Sequence, residues 1–311
     1  MQSSNALAID VGGTKIAGAV IDSDGQILRR DVVPTGDGGP DDVWAPVEQM
    51  IESLLDADVA AVGVGSAGPI DLVAGTVSPI NITAWRDFPI RDRVQATTKR
   101  PVSLAGDGQC AAVAEVAIGA AAGACNGLLI VVSTGIGGAR FFGGRVQVGP
   151  SGNAGHIGHV VIERNGRRCP CGQRGCVEAY ASGPSMVRIA MERGWLPEPE
   201  AGVETGSVQA VSLFASARAG DPTARRCISD AADVIALAIL NEAAMLEHDR
   251  VIIGGGVSGA SDLLIPAIEA ALARNRHLIF LREPRVVLAA LGPDASLVGA
   301  GLLAQRPDSV S

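Results

Sequence analysis

Twice in this chain a short apolar run breaks at a cluster of glycines and resumes as a second apolar run. Residues 5–11 (NALAIDV) lead into Gly12-Gly13-Thr14-Lys15 and then 16–21 (IAGAVI). Residues 127–133 (GLLIVVS) lead into Thr134-Gly135-Ile136-Gly137-Gly138. Each reads as strand, glycine turn, strand. In the first unit, 26–33 is a third strand after the turn Asp22-Ser23-Asp24-Gly25; in the second, 141–149 (FFGGRVQVG) reads as a hairpin. Helical spacing covers 41–56, followed by buried strands at 59–65 and 101–106 and an Ala-rich helix at 109–122. Farther on come a long helix at 222–248, opened by the cap pair Asp221-Pro222, a strand at 250–253 and a helix at 261–273.

Two such units, each followed by helices, predict two similar α/β halves with a phosphate-binding cleft between them. The halves are expected to divide at about 1–115 and 116–294, within a linking region near 108–126, with a helix at about 295–305 (segment 295–311) returning to the first half. A length of 311 residues suits two domains. Apolar residues make up 47% and aromatic ones 3%, so the cores are built from Ala, Val, Ile and Leu, as in buried parallel strands. A net charge of −8 without a basic patch argues against nucleic acid as partner. The opening MQSSNALAID lacks a signal-peptide pattern and no uninterrupted apolar stretch reaches membrane length, so the expectation is a cytoplasmic protein with no membrane partner.

The glycine turns are where chemistry is expected. In Asp10-Val11-Gly12-Gly13-Thr14-Lys15, glycine N–H groups, the Thr14 hydroxyl and the Lys15 charge can meet a phosphate, and Asp10 can hold waters around Mg²⁺. The bland alternative is a hairpin turn, and the spacing is not that of a Walker loop. Thr134-Gly135 offers a second phosphate turn, and Gly254-Gly255-Gly256 a flat contact for a nucleoside. Asp107 follows a strand and opens a helix; it is either a helix cap or a carboxylate that accepts the proton of an attacking hydroxyl. His159, Cys169, Cys171 and Cys176 are one imidazole and three thiols, a closed donor set for structural Zn²⁺. The alternative is three buried thiols beside an unrelated histidine. Cys110, Cys125 and Cys227 read as small core residues.

In their order these motifs (D-V-G-G-T-K, S-A-G-P-I-D, G-D-G-Q-C-A-A, S-T-G-I-G-G, G-H-I-G-H, C-P-C-G-Q-R-G-C-V-E and G-G-G) resemble the ROK family, over nearly the whole chain. The resemblance implies two actin-like, ribonuclease H-like domains with an interdomain ATP/sugar cleft, and an ATP-dependent sugar kinase using Mg²⁺ and structural Zn²⁺. It implies Asp107 as catalytic base, and ATP contacts from Gly12, Gly13, Thr14, Lys15, Thr134, Gly135, Gly255 and Gly256. His159 is expected to bind zinc through one ring nitrogen and face the sugar with the other. Glu178 is expected to accept hydrogen bonds from hydroxyls near the anomeric carbon, with Gly68 and Asn81 also at the sugar. A homodimer is also implied.

Two positions depart from the glucokinases of that family. Gly106 stands where they have Asn, and His156 where they have Glu, and both lost side chains are expected to contact the hydroxyl at position 3 of the hexose. The departure points to a hexose altered there. Kanosamine, 3-amino-3-deoxyglucose, is the sharpest candidate, which would place the enzyme in antibiotic biosynthesis; a glucokinase or N-acylhexosamine kinase is the alternative. A repressor would need a DNA-binding domain before the first glycine motif, and Asp10 is expected to leave no room for one. A sugar sensor without catalysis is opposed by the intact Asp107 and glycine turns.

Overall fold

A computed structural model describes residues 5–197 and 210–311. The chain opens with β1 (Asn5–Val11), β2 (Lys15–Ile21), β3 (Ile27–Pro34), α1 (Pro40–Leu54), β4 (Val59–Ser66), β5 (Ile70–Asp71), β6 (Thr76–Val77), α2 (Ile90–Thr98), β7 (Val102–Gly106) and α3 (Asp107–Ala117). It continues with β8 (Gly127–Val132), β9 (Ile136–Phe142), β10 (Arg145–Val146), α4 (Glu178–Ala181), α5 (Gly183–Glu192), α6 (Ala210–Ala219), α7 (Pro222–Leu246), β11 (Arg250–Gly254), α8 (Ser261–Asn275), β12 (Arg285–Leu288) and α9 (Ala295–Gln305).

Two compact units result. Of the described residues, one unit holds 5–125, 139–155 and 290–311; the other holds 126–138, 156–197 and 210–289. The first sheet runs β3-β2-β1-β4-β7 and the second β10-β9-β8-β11-β12. In the first, β1 pairs antiparallel with β2 and parallel with β4, and β4 parallel with β7. In the second, β11 pairs parallel with both β8 and β12. The sheets share one connectivity, so the two glycine turns occupy the same place: the tight link between the central strand and its hairpin partner.

The first unit buries Leu7, Ile9 and Val11 of β1 together with Val62 and Val64 of β4. Against this sheet lies α9, packed on α3, β1 and β4. A Cβ on Gly299 would stand 1.7 Å from the Cys110 carbonyl oxygen, so only glycine lets α9 approach α3 this closely. The second unit buries Leu128, Ile130, Val251 and Ile253 of its sheet against Ile235 and Ile239 of α7. Asp221 caps α7, its carboxylate accepting from the Ala224 N–H at 2.7 Å. Among the described residues one span, Gly256–Asn275, has the length and hydropathy of a membrane segment. Its helix α8 packs on α7 and buries Leu264, Ile268 and Leu272 within the second unit's core, which accounts for its apolar composition.

Local differences from the sequence reading have physical causes. The Ala-rich helix opens at Asp107 and stops at Ala117, where the buried Glu115 carboxylate accepts from the N–H groups of Ala120 and Leu291. Cys125 is exposed rather than core, because it lies in the connection between α3 and β8, where its carbonyl accepts from Gly144.

Candidate functional site

In the first unit, the carboxyl ends of three neighbouring parallel strands carry the reactive groups. Asp10 of β1 lies in register with Gly65 of β4, and Gly65 with Ala105 of β7, two residues before Asp107. Asp107 is the first residue of α3, one past the cap position Gly106. Its Oδ1 accepts from the Gly108 N–H at 2.7 Å, one of the first-turn donors that the helix itself leaves free, so the carboxylate also serves the helix start. Asp10 Oδ1 accepts from the Ser296 hydroxyl of α9 at 2.6 Å, a partner that sequence reading missed. Burial pushes the Asp10 carboxyl up from 3.8 to about 6; the Ser296 hydrogen bond opposes this, the Asp107 charge adds to it, and Lys15 and Arg30 oppose it. A divalent cation placed there would reverse that balance. Beneath the two carboxylates, burial and both negative charges hold the Cys110 thiol well above its ordinary range, which makes it an inert core group.

The first glycine turn is tighter than a simple phosphate cradle. The Gly12 N–H donates to the Lys15 carbonyl at 3.1 Å, which closes the turn and leaves backbone donation toward a phosphate to Gly13 and Thr14. Thr14 and Lys15 are exposed. Asn81 lies directly over this turn: a Cβ on Gly13 would meet its Cβ and Nδ2 at 2.8 Å. The structure therefore brings Asn81 to the first glycine turn. Gly68 follows β4 and precedes Pro69 through a cis peptide.

In the second unit, His159, Cys169, Cys171 and Cys176 converge, with one donor atom of each within 4.8 Å of all the others. His159 sits on a 3-10 turn, Ile157–His159, and its Nδ1 is 3.8 Å from Cys169 Sγ. Cys171 Sγ and Cys176 Sγ are 3.7 Å apart. A tetrahedron with Zn–S bonds of ~2.3 Å has edges of about 3.8 Å, so the donor set fits a tetrahedral ion. With Nδ1 on the thiol side, the other histidine nitrogen is left for a different partner. The strands of this loop are stitched by Ile162 and Val177, whose N–H groups donate to Gly175 and Val160. Gly175 has φ +79 and faces the Glu163 carbonyl at a distance no Cβ permits.

Without a cation the thiols cannot ionise together. Burial pushes Cys169 up to about 12, and burial with the Cys171 side chain raises Cys176. At Cys171 burial is outweighed by hydrogen bonds from the Gln173 backbone and from Cys169 and Cys176, and its thiol falls below the usual range. One easily ionised thiol beside two resistant ones is what a metal would convert into three thiolates.

Around this cluster the other expected residues gather. Glu178, first residue of α4, accepts from the Ile136 N–H through Oε2 at 2.8 Å, and its Oε1 is 3.6 Å from Cys169 Sγ. His156 is exposed, its ring centroid 6.1 Å from that of His159. Thr134 is exposed on the second glycine turn. The third glycine run lies beside that turn: a Cβ on Gly255 would stand 2.4 Å from the Val132 carbonyl oxygen, and one on Gly256 3.2 Å from Ser133 Oγ.

The strand-end carboxylates, paired glycine turns and cysteine–histidine knot thus lie on two sheets of one connectivity. The ROK family pattern matches residues 6–307. A glucokinase of Halalkalibacterium halodurans is 34% identical over 97% of this chain and 96% of its own. An N-acetylmannosamine kinase of Citrobacter koseri is 35% identical over 97% of this chain and 99% of its own. Among solved structures, a ROK hexokinase from Thermus thermophilus superposes with a TM-score of 0.83 at 34% identity, covering 98% of this chain and 99% of that one. A ROK glucokinase from Streptomyces griseus, solved with glucose and AMPPNP, gives 0.81 at 33% identity, covering 97% and 99%. This chain belongs to the ROK family, as an ATP-dependent carbohydrate kinase.

Proposed function

We propose that this enzyme transfers the γ-phosphate of ATP to the hydroxyl at position 6 of a hexose, and that its sugar site is changed where glucose carries the hydroxyl at position 3. Asp107 takes the proton of the attacking hydroxyl. Phosphoryl transfer asks mainly for orientation of that hydroxyl, so a carboxylate aimed by its own Gly108 N–H suffices. Asp10 holds the waters of Mg²⁺, and the turns at Gly12–Lys15 and Thr134-Gly135, with Gly255-Gly256, receive the nucleotide. Gly68, Asn81, His159 and Glu178 serve the sugar. Zinc, held by His159, Cys169, Cys171 and Cys176, supplies a fixed scaffold for His159 and takes no part in the transfer.

The observation that carries the specificity reading is Gly106. Its φ of −67° and ψ of 151° are open to any residue. A Cβ there would meet nothing closer than Gln109 Oε1 at 3.4 Å, an ordinary contact. The fold does not demand glycine at this position, so the missing amide is a property of the site. His156 replaces an acceptor-only carboxylate with a ring that donates or accepts. Kanosamine suits a ring nitrogen of His156 that accepts from its amine.

The curated relatives favour a second reading, a glucokinase or N-acylhexosamine kinase. Rates with kanosamine, glucose and N-acetylmannosamine separate the two. Each unpaired polar contact should cost ~1–3 kcal/mol, about 5- to 150-fold in kcat/KM. The proposal expects kanosamine to lead glucose by that margin, and Gly106→Asn with His156→Glu to move preference back to glucose. Equal or better use of glucose by the unaltered enzyme overturns the specificity reading and leaves the second one.

A further inference from the structure

Both segments that carry the cysteine–histidine cluster also meet one residue of the second glycine turn, Ile136, one at its carbonyl and the other at its N–H. On one side, the 3-10 turn ending in His159 abuts Ile136: a Cβ on Gly158 would stand 2.0 Å from the Ile136 carbonyl oxygen. On the other, Glu178, two residues after Cys176, accepts the Ile136 N–H at 2.8 Å. Ile136 is buried, so this N–H has no water to replace a lost partner. A second tie lies five residues on, where the Gly183 N–H donates to the Ser133 carbonyl at 2.9 Å. Residues 133–136 are thus held at both ends by the chain that leaves the last cysteine. The approach is close enough that a Cβ on Gly135 would meet Glu178 Oε2 at 2.7 Å.

We propose that Glu178 is a positioning residue for the second glycine turn, and that the metal-binding knot sets nucleotide affinity through it. The carboxylate has enough acceptor sites to hold the Ile136 N–H and still serve a sugar hydroxyl. An ordered knot fixes the start of α4, α4 fixes Glu178, and Glu178 fixes the peptide that follows Thr134-Gly135. Loss of the metal would therefore loosen a turn to which it is not itself bonded. The proposal rests on the reading above that Thr134 and Gly135 receive ATP.

The test uses the full-length protein with two readouts, hydrogen exchange of the segment 130–142 and calorimetric binding of ADP without sugar. Glu178→Ala should speed exchange at Ile136 and weaken ADP by about tenfold, the scale of one buried hydrogen bond. Glu178→Gln keeps a carbonyl acceptor for the Ile136 N–H and should restore both readouts to within about threefold of the parent. Removing the metal from the unaltered chain should reproduce the alanine variant's faster exchange and weaker ADP binding. Unchanged exchange in Glu178→Ala overturns the clamp. Faster exchange with unchanged ADP affinity overturns the assignment of the turn to the nucleotide, on which the proposal depends. Equal loss in the Ala and Gln variants shows a general structural role and also overturns it.

Discussion

Replacing Asp10 with Asn should stabilise the metal-free protein while abolishing its use of Mg²⁺. Burial and the Asp107 charge hold the Asp10 carboxyl near 6 against an ordinary 3.8. A carboxyl raised in the folded state binds its proton more tightly there than when unfolded. Folding is therefore penalised as pH rises through about 4 to 6, and the full penalty persists above 6. The shift corresponds to about 3 kcal/mol at neutral pH, or roughly 1–2 kcal/mol once solvent screening of a half-buried group is allowed for. Asparagine keeps an acceptor for the Ser296 hydroxyl and carries no charge. Thermal unfolding at pH 7.5 without divalent metal should then show the variant several degrees above the parent, about 2–4 °C per kcal/mol for a domain this size. At pH 5 the gap should shrink, because the parent's carboxyl is then largely protonated. A variant less stable than its parent at pH 7.5, or a gap independent of pH, would show that Asp10 is not a strained carboxylate. With nucleotide present, Mg²⁺ should raise the melting temperature of the parent only.

Asp107→Asn should lower turnover by about 10²–10⁴ while affecting sugar affinity less, as checked by steady-state kinetics and calorimetry with the best substrate; parental turnover would remove Asp107 from the chemistry. Metal analysis should find one Zn²⁺ per chain, and Cys171→Ser should release it and loosen 157–178, read by hydrogen exchange. A fully active, metal-free preparation would refute a structural metal in the knot.

The parts of this molecule set by local chemistry were readable in the sequence. The link between β1 and β2 shows itself because apolar runs stop and restart across glycines, and the same pattern marks β8 and β9. The cysteine–histidine cluster shows itself because few other arrangements need three thiols within eight residues beside a tight turn. Helix α2 was not readable: its polar sequence buries only Ile90, Val94 and Thr98, a stripe one residue wide. Helix α5 did carry local signals, the cap Ser182, Pro184 in its first turn and a buried stripe of Met186, Val187, Ile189 and Ala190, and the sequence reading passed over them. The Ser296 hydroxyl on Asp10 is 286 residues away in sequence, and Glu178 is 42 from Ile136. Such contacts are created by the packing of α9 and α4, and no periodicity announces them. Asp107 was legible as a strand-end acid; what the sequence did not show is that Gly106 takes the cap position and that the carboxylate lies on the Gly108 N–H.

The most direct test is to identify the product. The enzyme is incubated with ATP, Mg²⁺ and each hexose, and the purified sugar is examined by phosphorus–proton correlated NMR. The account predicts stoichiometric ADP and a single phosphate ester, coupled to the two protons on carbon 6. Coupling to the proton on carbon 1, or ATP hydrolysis that leaves every hexose unmodified, would contradict it.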